Sequence, residues 1–171
     1  NTLTLQVTQN CNLRCKYCVY SGSYINRVHT NKRMDWNTAK KAIDFLHKHS
    51  ECSSQVAFGF YGGEPLLEFE LIKKSVEYIN QKFFGKNKTF VITTNATLLN
   101  EEKLRFFIEN DFSIMISLDG PASVQDGNRV FADNESGTFD TIIEKLKMIE
   151  RIAPDYLEKI SFNAVIDLQH N

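Results

Sequence analysis

Three cysteines lie within eight residues near the start of the chain, in the segment CNLRCKYC at 11–18. Cysteine thiolates are ligands of iron–sulfur clusters and of structural zinc. Because Cys11, Cys15 and Cys18 are spaced four and three residues apart in a short segment, their side chains can converge on one metal centre. Buried cysteines usually behave as small apolar residues, whereas these have Asn, Arg and Lys as neighbours. The pattern therefore predicts a metal centre, with three unrelated buried cysteines as the alternative.

The number of ligands bears on the kind of centre. A structural zinc site is closed by four ligands, and an electron-transfer cluster usually has four cysteines. Three cysteines on a four-iron cluster leave one iron without a protein ligand, and an open position is typical of a catalytic site. We interpret the fourth cysteine, Cys52, as structural because it precedes the second predicted strand, at the amino end of the sheet. His29, His47 and His49 are possible fourth ligands of a zinc site, which remains the alternative.

Short apolar runs alternate with amphipathic segments along the whole chain. The runs predict strands at 3–7, 56–61, 89–94, 112–118 and 159–166. Helical spacing predicts one helix capped by Asp35, one over 66–84, one capped by Asn100 and one over 138–152. This order predicts an α/β fold with a parallel sheet, covered on its outer face, and right-handed crossovers. An open doubly wound sheet and a partial barrel both satisfy it, and in either one ligands bind at the carboxyl ends of the strands.

The composition narrows the class of protein. The chain has 171 residues, of which 42% are hydrophobic, and thirteen Phe, enough for the core of one domain. A net charge of −1, with acidic and basic residues well mixed, argues against nucleic-acid binding. The apolar runs are too short to cross a bilayer, and the start NTLTLQVTQ lacks the features of a signal peptide. The cysteine spacing is unlike a secreted disulfide framework, so we expect a reducing, cytoplasmic setting and no membrane association.

Three further motifs follow later strands. The segment YGGEP at 61–65 follows the second strand, TTNATLL at 93–99 ends the third, and SLDGP at 117–121 ends the fourth. Each alone fits an ordinary turn, although a Gly-Gly pair also permits close approach of a ligand. Arg129 comes shortly after the last motif, and its planar guanidinium suits a carboxylate ligand. A surface pair with Asp126 or Asp133 is the alternative for this arginine.

The spacing CxxxCxxC, with Tyr17 just before the last cysteine, resembles the cluster motif of the radical S-adenosylmethionine (SAM) superfamily. The other motifs resemble that family's GGEP, TTNGTLL and SLDGP segments in the same order. The resemblance implies a partial TIM-like (β/α) barrel of the radical SAM type, here truncated after about five strands. It implies a [4Fe–4S] cluster on Cys11, Cys15 and Cys18, with SAM bound at the remaining iron. One electron, from a donor such as flavodoxin or ferredoxin, then cleaves SAM to a 5′-deoxyadenosyl radical that abstracts hydrogen from the substrate.

The resemblance also implies which residues bind SAM, although it assigns no catalytic residue. They are Tyr17, Gly62, Gly63, Glu64, Asn95, Ser117 and Arg129. Glu64 and backbone groups of the GGEP turn would receive the SAM amino group, while Ser117 and Arg129 would hold its carboxylate and ribose side. Asn95 would face the ribose or the substrate, with capping of its own loop as the alternative. Two positions depart from the family pattern, because Ala96 stands where glycine is usual and Gln125 where histidine is usual.

Within the superfamily the motifs resemble maturases that install thioether crosslinks in cysteine-rich ribosomal peptides, with anaerobic sulfatase maturases as near relatives. We therefore expect a peptide or protein substrate and thioether formation. Formylglycine formation and a non-catalytic iron–sulfur or metal-binding module are the alternatives. The chain is expected to be one domain over 1–171, an incomplete radical SAM core without the C-terminal auxiliary-cluster domain that both groups usually carry.

Overall fold

The computed structural model describes residues 1–20 and 29–166 of the chain. Its strands are β1 (Thr2–Thr8), β2 (Leu13–Cys15), β3 (Gln55–Gly62), β4 (Asn87–Thr94), β5 (Phe112–Ser117), β6 (Arg129–Phe131) and β7 (Ile160–Asn163). Its helices are α1 (Trp36–His49), α2 (Phe69–Lys82), α3 (Glu101–Glu109), α4 (Ala122–Asn128) and α5 (Phe139–Ile152). Two 3₁₀ turns, Pro65–Glu68 and Pro154–Lys159, precede α2 and β7.

Five strands form one parallel sheet in the order β1-β3-β4-β5-β7. In the part of the chain that the structure describes, β1 and β7 are the two edges, so the sheet is open there. The predicted α/β fold with a parallel sheet is confirmed, and its architecture is that of a partial barrel. Strands β2 and β6 form a separate antiparallel pair. We did not predict this pair, because neither segment has a strand-like pattern of its own.

The helices begin where their capping residues predict. The Asp35 carboxylate accepts the N–H of Thr38 at 2.8 Å at the start of α1, and Asn100 accepts the N–H of Lys103 at 2.9 Å at the start of α3. Side chains of this kind satisfy backbone donors that have no partner inside the helix. The predicted helix over 66–84 starts as a 3₁₀ turn and becomes α2 at Phe69. None of the described helices is long and apolar enough to cross a membrane.

One face of the sheet is covered by helices. In β3, Val56, Phe58 and Phe60 are buried together with apolar residues of α1, α2, α3 and α5. The residues between them, Ala57 and Gly59, are partly exposed, and Tyr61, which follows Phe60, is exposed. This alternation follows from the two-residue period of a strand, in which successive side chains point to opposite faces. The prediction of a covered outer face therefore holds for the inner strands of the sheet.

Strand β7 departs from that prediction. It is shorter than the predicted 159–166, and most of its side chains are exposed, including Phe162 at 54%. The reason is its position, since β7 pairs with β5 and has no second neighbour among the described strands. The apolar run therefore predicted a strand correctly here, but most side chains of this strand are exposed.

Candidate active site

The predicted motifs meet at one edge of the sheet, because each follows the carboxyl end of a parallel strand. Strand β1 ends just before the cysteine segment, and β3, β4 and β5 end at Gly62, Thr94 and Ser117. A cavity of about 250 Å³ opens at this edge. Its lining includes Cys11, Cys15, Cys18, Tyr17, Gly62, Gly63, Asn95, Ser117 and Arg129. Every residue predicted to bind the cluster or SAM is thus part of its lining, except Glu64.

The cysteine segment is held by the small antiparallel pair. Strand β2 contains Cys15, and its register with β6 places Cys15 opposite Arg129. Next to this pair, the N–H of Lys16 donates to the carbonyl of Asn128 at 3.0 Å. These contacts join two segments that are more than 100 residues apart, as the 114-residue separation of Cys15 and Arg129 shows. The position of the cysteines therefore depends on the segment that carries the predicted SAM-binding arginine.

Each of the three cysteine sulfurs accepts at least one N–H donor. The donors are the backbone N–H groups of Leu13 to Cys11 (3.4 Å) and of Tyr20 to Cys18 (3.5 Å), Asn95 Nδ2 to Cys11 (3.9 Å) and Arg129 Nη1 to Cys15 (3.9 Å). Hydrogen bonds to cluster-ligating sulfur stabilise its negative charge and tune the cluster's reduction potential. The donor set therefore suits three cysteine thiolates on an iron–sulfur cluster.

Burial has the opposite effect on two of these thiols, because it disfavours the negatively charged thiolate. It raises the pKa of Cys11 to about 12 and that of Cys15 to about 11. A bound metal ion deprotonates a coordinating thiol, so a cationic centre would reverse this shift. Among residues 1–20 and 29–166, no three His, Cys, Asp or Glu side chains are grouped to hold a single metal ion. A cluster is bound differently, because each iron takes its own thiolate.

Of the four residues considered as a possible fourth metal ligand, only His29 lies at the cavity. Cys52 precedes β3, at the amino end of the sheet, and it is exposed, whereas we had interpreted it as a structural residue. His47 and His49, in the last turn of α1, pack against the rings of Phe83 and Phe45. His29 belongs to the cavity lining.

The Gly-Gly pair meets the protein's own backbone. Gly63 N–H donates to the Thr8 carbonyl and Glu64 N–H to the Asn10 carbonyl, both at 2.9 Å. A Cβ on Gly63 would lie 2.2 Å from the Asn10 oxygen, and one on Gly62, where φ is +154°, would lie 2.4 Å from the Thr8 oxygen. We had expected the glycines to allow close approach of a ligand. The approach that the structure shows is that of the strand leading into the cysteine segment.

Glu64 lies behind the cavity wall. Its carboxylate is buried and accepts hydrogen bonds from Leu66 N (3.0 Å), Thr94 Oγ1 (2.6 Å) and Asn95 N (2.8 Å). Burial raises its pKa, while these three hydrogen bonds act to lower it. The side chain thus joins the carboxyl ends of β3 and β4, whereas Tyr61, Gly62 and Gly63 are the residues of the motif that line the cavity.

Asn95, just after β4, both caps its own loop and lines the cavity. Its Oδ1 accepts from the backbone N–H (3.0 Å) and hydroxyl (2.7 Å) of Thr97, which caps the loop. Its Nδ2 donates to Asn12 Oδ1 in the cysteine segment at 3.0 Å, and the residue also lines the cavity. Ala96 has φ of 61°, the left-handed conformation that favours glycine. A left-handed turn is therefore formed here with alanine at the position where glycine is usual in the family.

Arg129 pairs with neither Asp126 nor Asp133, the two acidic residues considered as its alternative partners. Its Nε and Nη2 donate to the two oxygens of Asp119, each at 2.9 Å, and its guanidinium carbon lies 5.2 Å from the centre of the Tyr17 ring. Asp126 instead accepts the N–H groups of Thr138 and Phe139 at the start of α5.

Sequence reasoning did not select Asp119, although SLDGP contains it. The Tyr17 hydroxyl also donates to Asp119. Burial favours a higher pKa for this carboxyl group, but the hydrogen bonds from Arg129 and Tyr17 outweigh it and lower the pKa below the usual value.

A parallel α/β sheet with a cysteine-lined cavity at its carboxyl edge is typical of a cofactor-dependent α/β enzyme. Residues 5–162 match the family described as "Radical SAM superfamily". The chain therefore belongs to the radical SAM superfamily. Its cofactors are accordingly a [4Fe–4S] cluster and SAM, and the three cysteines with their N–H donors fit that cluster.

Two curated relatives illustrate the similarity. An uncharacterized protein of Methanocaldococcus jannaschii is 41% identical over 140 residues, which is 82% of this chain and 46% of the relative. A cysteine-type anaerobic sulfatase-maturating enzyme of Clostridium novyi is 32% identical over 153 residues, which is 87% of this chain and 40% of that enzyme. The chain thus spans less than half the length of these relatives.

Solved structures of radical SAM enzymes share the fold of this chain. The enzyme anSMEcpe with bound AdoMet superposes with a TM-score of 0.78 at 25% identity, over 95% of this chain and 43% of that one. The same enzyme with AdoMet and the Cp18Cys peptide gives a TM-score of 0.77, also at 25% identity, over 95% and 42% of the two chains. The chain is therefore related to radical SAM enzymes that include sulfatase maturases.

Proposed function

We propose that the protein is a radical SAM enzyme that modifies a peptide or protein substrate, and that the modification is a thioether crosslink. The observation that carries the proposal is that all three cysteines share one cavity with Arg129 and with the strand-end residues Asn95 and Ser117. When bound, the cluster supplies the electron that cleaves the sulfonium of SAM, chemistry that belongs to the cofactors.

The protein's own residues would hold and orient those cofactors. Cys11, Cys15 and Cys18 would bind three irons and leave one open for the amino and carboxylate groups of SAM. The guanidinium of Arg129, beside Cys15, would pair with that carboxylate through a charge-assisted hydrogen bond from Nη1, the nitrogen that is not bound to Asp119. Ser117 stands at the end of β5 in the same wall.

Apolar groups of the same cavity would protect a reactive intermediate. Leu13, Val19 and Val165 line it together with the aromatic rings of Tyr17 and Tyr20. A closed site excludes water and prevents side reactions of reactive species. Such a lining suits a reaction in which hydrogen abstraction must be confined to the intended substrate.

The choice of a peptide substrate is supported by the relatives. One is a sulfatase-maturating enzyme, and one solved relative contains AdoMet together with a peptide. Thioether formation joins a cysteine sulfur to a substrate carbon. The hydrogen of the carbon would go to the deoxyadenosyl radical, the thiol would lose a proton, and the remaining electron would return to an iron–sulfur cluster. Formylglycine formation is the second candidate, favoured by the 32% identity to the Clostridium novyi enzyme. A non-catalytic iron–sulfur module is the alternative from another class.

The test of cofactor chemistry uses the full-length protein, reconstituted without oxygen. We expect about four irons per radical SAM site and, with a reductant such as dithionite, conversion of SAM to 5′-deoxyadenosine. Cys11→Ala, Cys15→Ala and Cys18→Ala should each lose most of this iron, whereas the matched control Cys52→Ala, at an exposed site, should retain it. Iron retention by the Cys15 variant, or absence of deoxyadenosine from the wild type, would contradict the proposal.

Mass spectrometry of a cysteine-rich peptide separates the two reactions. Thioether formation removes two hydrogens per crosslink and retains the sulfur, whereas formylglycine formation from cysteine replaces sulfur with oxygen. We expect the first mass change. An enzyme that forms deoxyadenosine yet modifies only small metabolites would exclude the peptide-modifying role.

A further inference from the structure

The Asp119 carboxylate joins three distant segments at the edge of the cavity. Its side chain is fully buried. Oδ1 accepts from Arg129 Nη2 (2.9 Å) and from the backbone N–H of Val165 (3.0 Å), and Oδ2 accepts from Arg129 Nε (2.9 Å) and the Tyr17 hydroxyl. One side chain thus contacts the cysteine segment, β6 and the chain just after β7.

We propose that Asp119 is a positioning residue for SAM binding, which acts by fixing the orientation of the Arg129 guanidinium beside Cys15. This inference rests on the proposed function. Asp119 itself is absent from the cavity lining, while Arg129 and Tyr17, which it holds, are part of it. Its effect on SAM is therefore exerted through these neighbours.

The geometry explains why a fixed orientation matters. Two donors on one edge of the guanidinium, Nε and Nη2, are bound to Asp119, and the remaining nitrogen, Nη1, lies 3.9 Å from the Cys15 sulfur. A bidentate pair restricts the guanidinium far more than a single contact does. The Tyr17 ring lies against the same group, with 5.2 Å between ring centre and guanidinium carbon. Arg129 is therefore set in place before SAM binds, which reduces the entropy that binding must cost.

Asparagine is the sharpest replacement, because it keeps the shape of Asp119 and removes one acceptor. Each carboxylate oxygen accepts two donors, and all four are N–H or O–H groups. Whichever way the amide turns, its NH₂ group faces two of these donors, so at least one bond to Arg129 is lost. Asp126→Asn is the matched control, since that carboxylate accepts backbone N–H groups from Thr138 and Phe139 but contacts neither Arg129 nor Tyr17 in the described contacts.

The experiment measures SAM affinity by calorimetry on reconstituted full-length protein, with the spectrum of the reduced cluster as a second readout. Asp119→Asn should retain its iron but bind SAM roughly tenfold to a hundredfold more weakly, the usual effect of losing a charge-assisted hydrogen bond. The change that SAM causes in the electron paramagnetic resonance spectrum should be reduced in the same variant. In Asp126→Asn the amide oxygen can still accept both N–H groups, which bond to Oδ1, so this variant should keep the SAM affinity of the wild type.

A double-mutant cycle separates positioning from a general structural role. If Asp119 acts through Arg129, Asp119→Asn should have little further effect on SAM affinity once Arg129→Ala is present. Wild-type affinity in Asp119→Asn, or an equal loss in both backgrounds, would overturn the inference. If Asp119→Asn loses its iron, the SAM affinity of Arg129→Lys tests the positioning role instead. Lysine keeps the charge without the fork, so unchanged SAM affinity in that variant refutes the positioning role.

The wild type distinguishes this inference from the proposed function. Failure of the wild type to bind SAM or to form deoxyadenosine counts against the function itself. Normal wild-type chemistry with an unaffected Asp119→Asn variant counts against the positioning role alone.

Discussion

At the scale of single residues, Gly63 shows how closely the wall of the cavity is packed. Its N–H is bonded to the Thr8 carbonyl, and the position of its missing Cβ is only 2.2 Å from the Asn10 oxygen. Backbone atoms on both sides leave no flexible side chain to move aside. The glycine is therefore needed to let β3 and the segment before the cysteines approach each other.

We predict that Gly63→Ala destabilises the domain by about 1–3 kcal/mol, the usual cost of overpacking. The measurement is the free energy of unfolding from denaturant titration. The control is Gly127→Ala in α4, where an added Cβ meets nothing within 4 Å and should be neutral or stabilise by up to about 1 kcal/mol. Equal stability of the two variants would show that the close approach at Gly63 is not required.

At the scale of elements, the carboxyl ends of β3 and β4 are joined through one buried carboxylate. The hydroxyl of Thr94 donates to Glu64 at 2.6 Å and accepts the N–H of Ala96 at 3.0 Å. This hydroxyl therefore supports both the buried acid and the left-handed turn that follows β4. A buried polar group that loses its partner costs free energy, so the link between the two strand ends depends on Thr94.

Replacing Thr94 with valine keeps the side-chain shape and removes both hydrogen bonds. We predict a loss of about 1–3 kcal/mol in the free energy of unfolding. Thr89→Val, the same change at an exposed position of β4, should stay within about 0.5 kcal/mol of the wild type. A Thr94→Val variant as stable as Thr89→Val would mean that the strand ends are held by other contacts.

At the scale of the whole molecule, phenylalanine rings join the sheet to its helices. Phe112, fully buried in β5, has ring centres 5.8 Å from Phe60, 5.1 Å from Phe90 and 4.9 Å from Phe107. Its neighbours thus belong to β3, β4 and α3. Aromatic pairs at these distances contribute beyond the area that they bury. This cluster packs α3 against the strands whose ends form the cavity.

We predict that Phe112→Ala destabilises the fold by about 3–5 kcal/mol, the range for a large-to-small change in a packed core. Phe84→Ala provides the control, because that side chain is 90% exposed and its removal should change little. Thermal unfolding followed by circular dichroism compares the two variants. Similar melting temperatures would contradict the central place of Phe112 in the core.

Much of the architecture could be predicted from local patterns. Short apolar runs located the five parallel strands and helical spacing located the principal helices, because burial in a core imposes those patterns. Asp35 and Asn100 marked helix starts, since a cap needs a backbone N–H only three residues away. The position of the motifs at one edge followed from the parallel order of the strands.

What the sequence by itself determined was set by neighbours along the chain, such as the cysteine spacing and the helix caps at Asp35 and Asn100. The tertiary structure alone decided the hydrogen-bond partners of polar groups that are distant from one another in the sequence. It paired Arg129 with Asp119 instead of Asp126 or Asp133 and placed the Glu64 carboxylate behind the cavity wall. Hydrogen bonds require atoms within about 3 Å, and which distant residues come that close depends on how the strands and helices pack, a property that no local pattern contains.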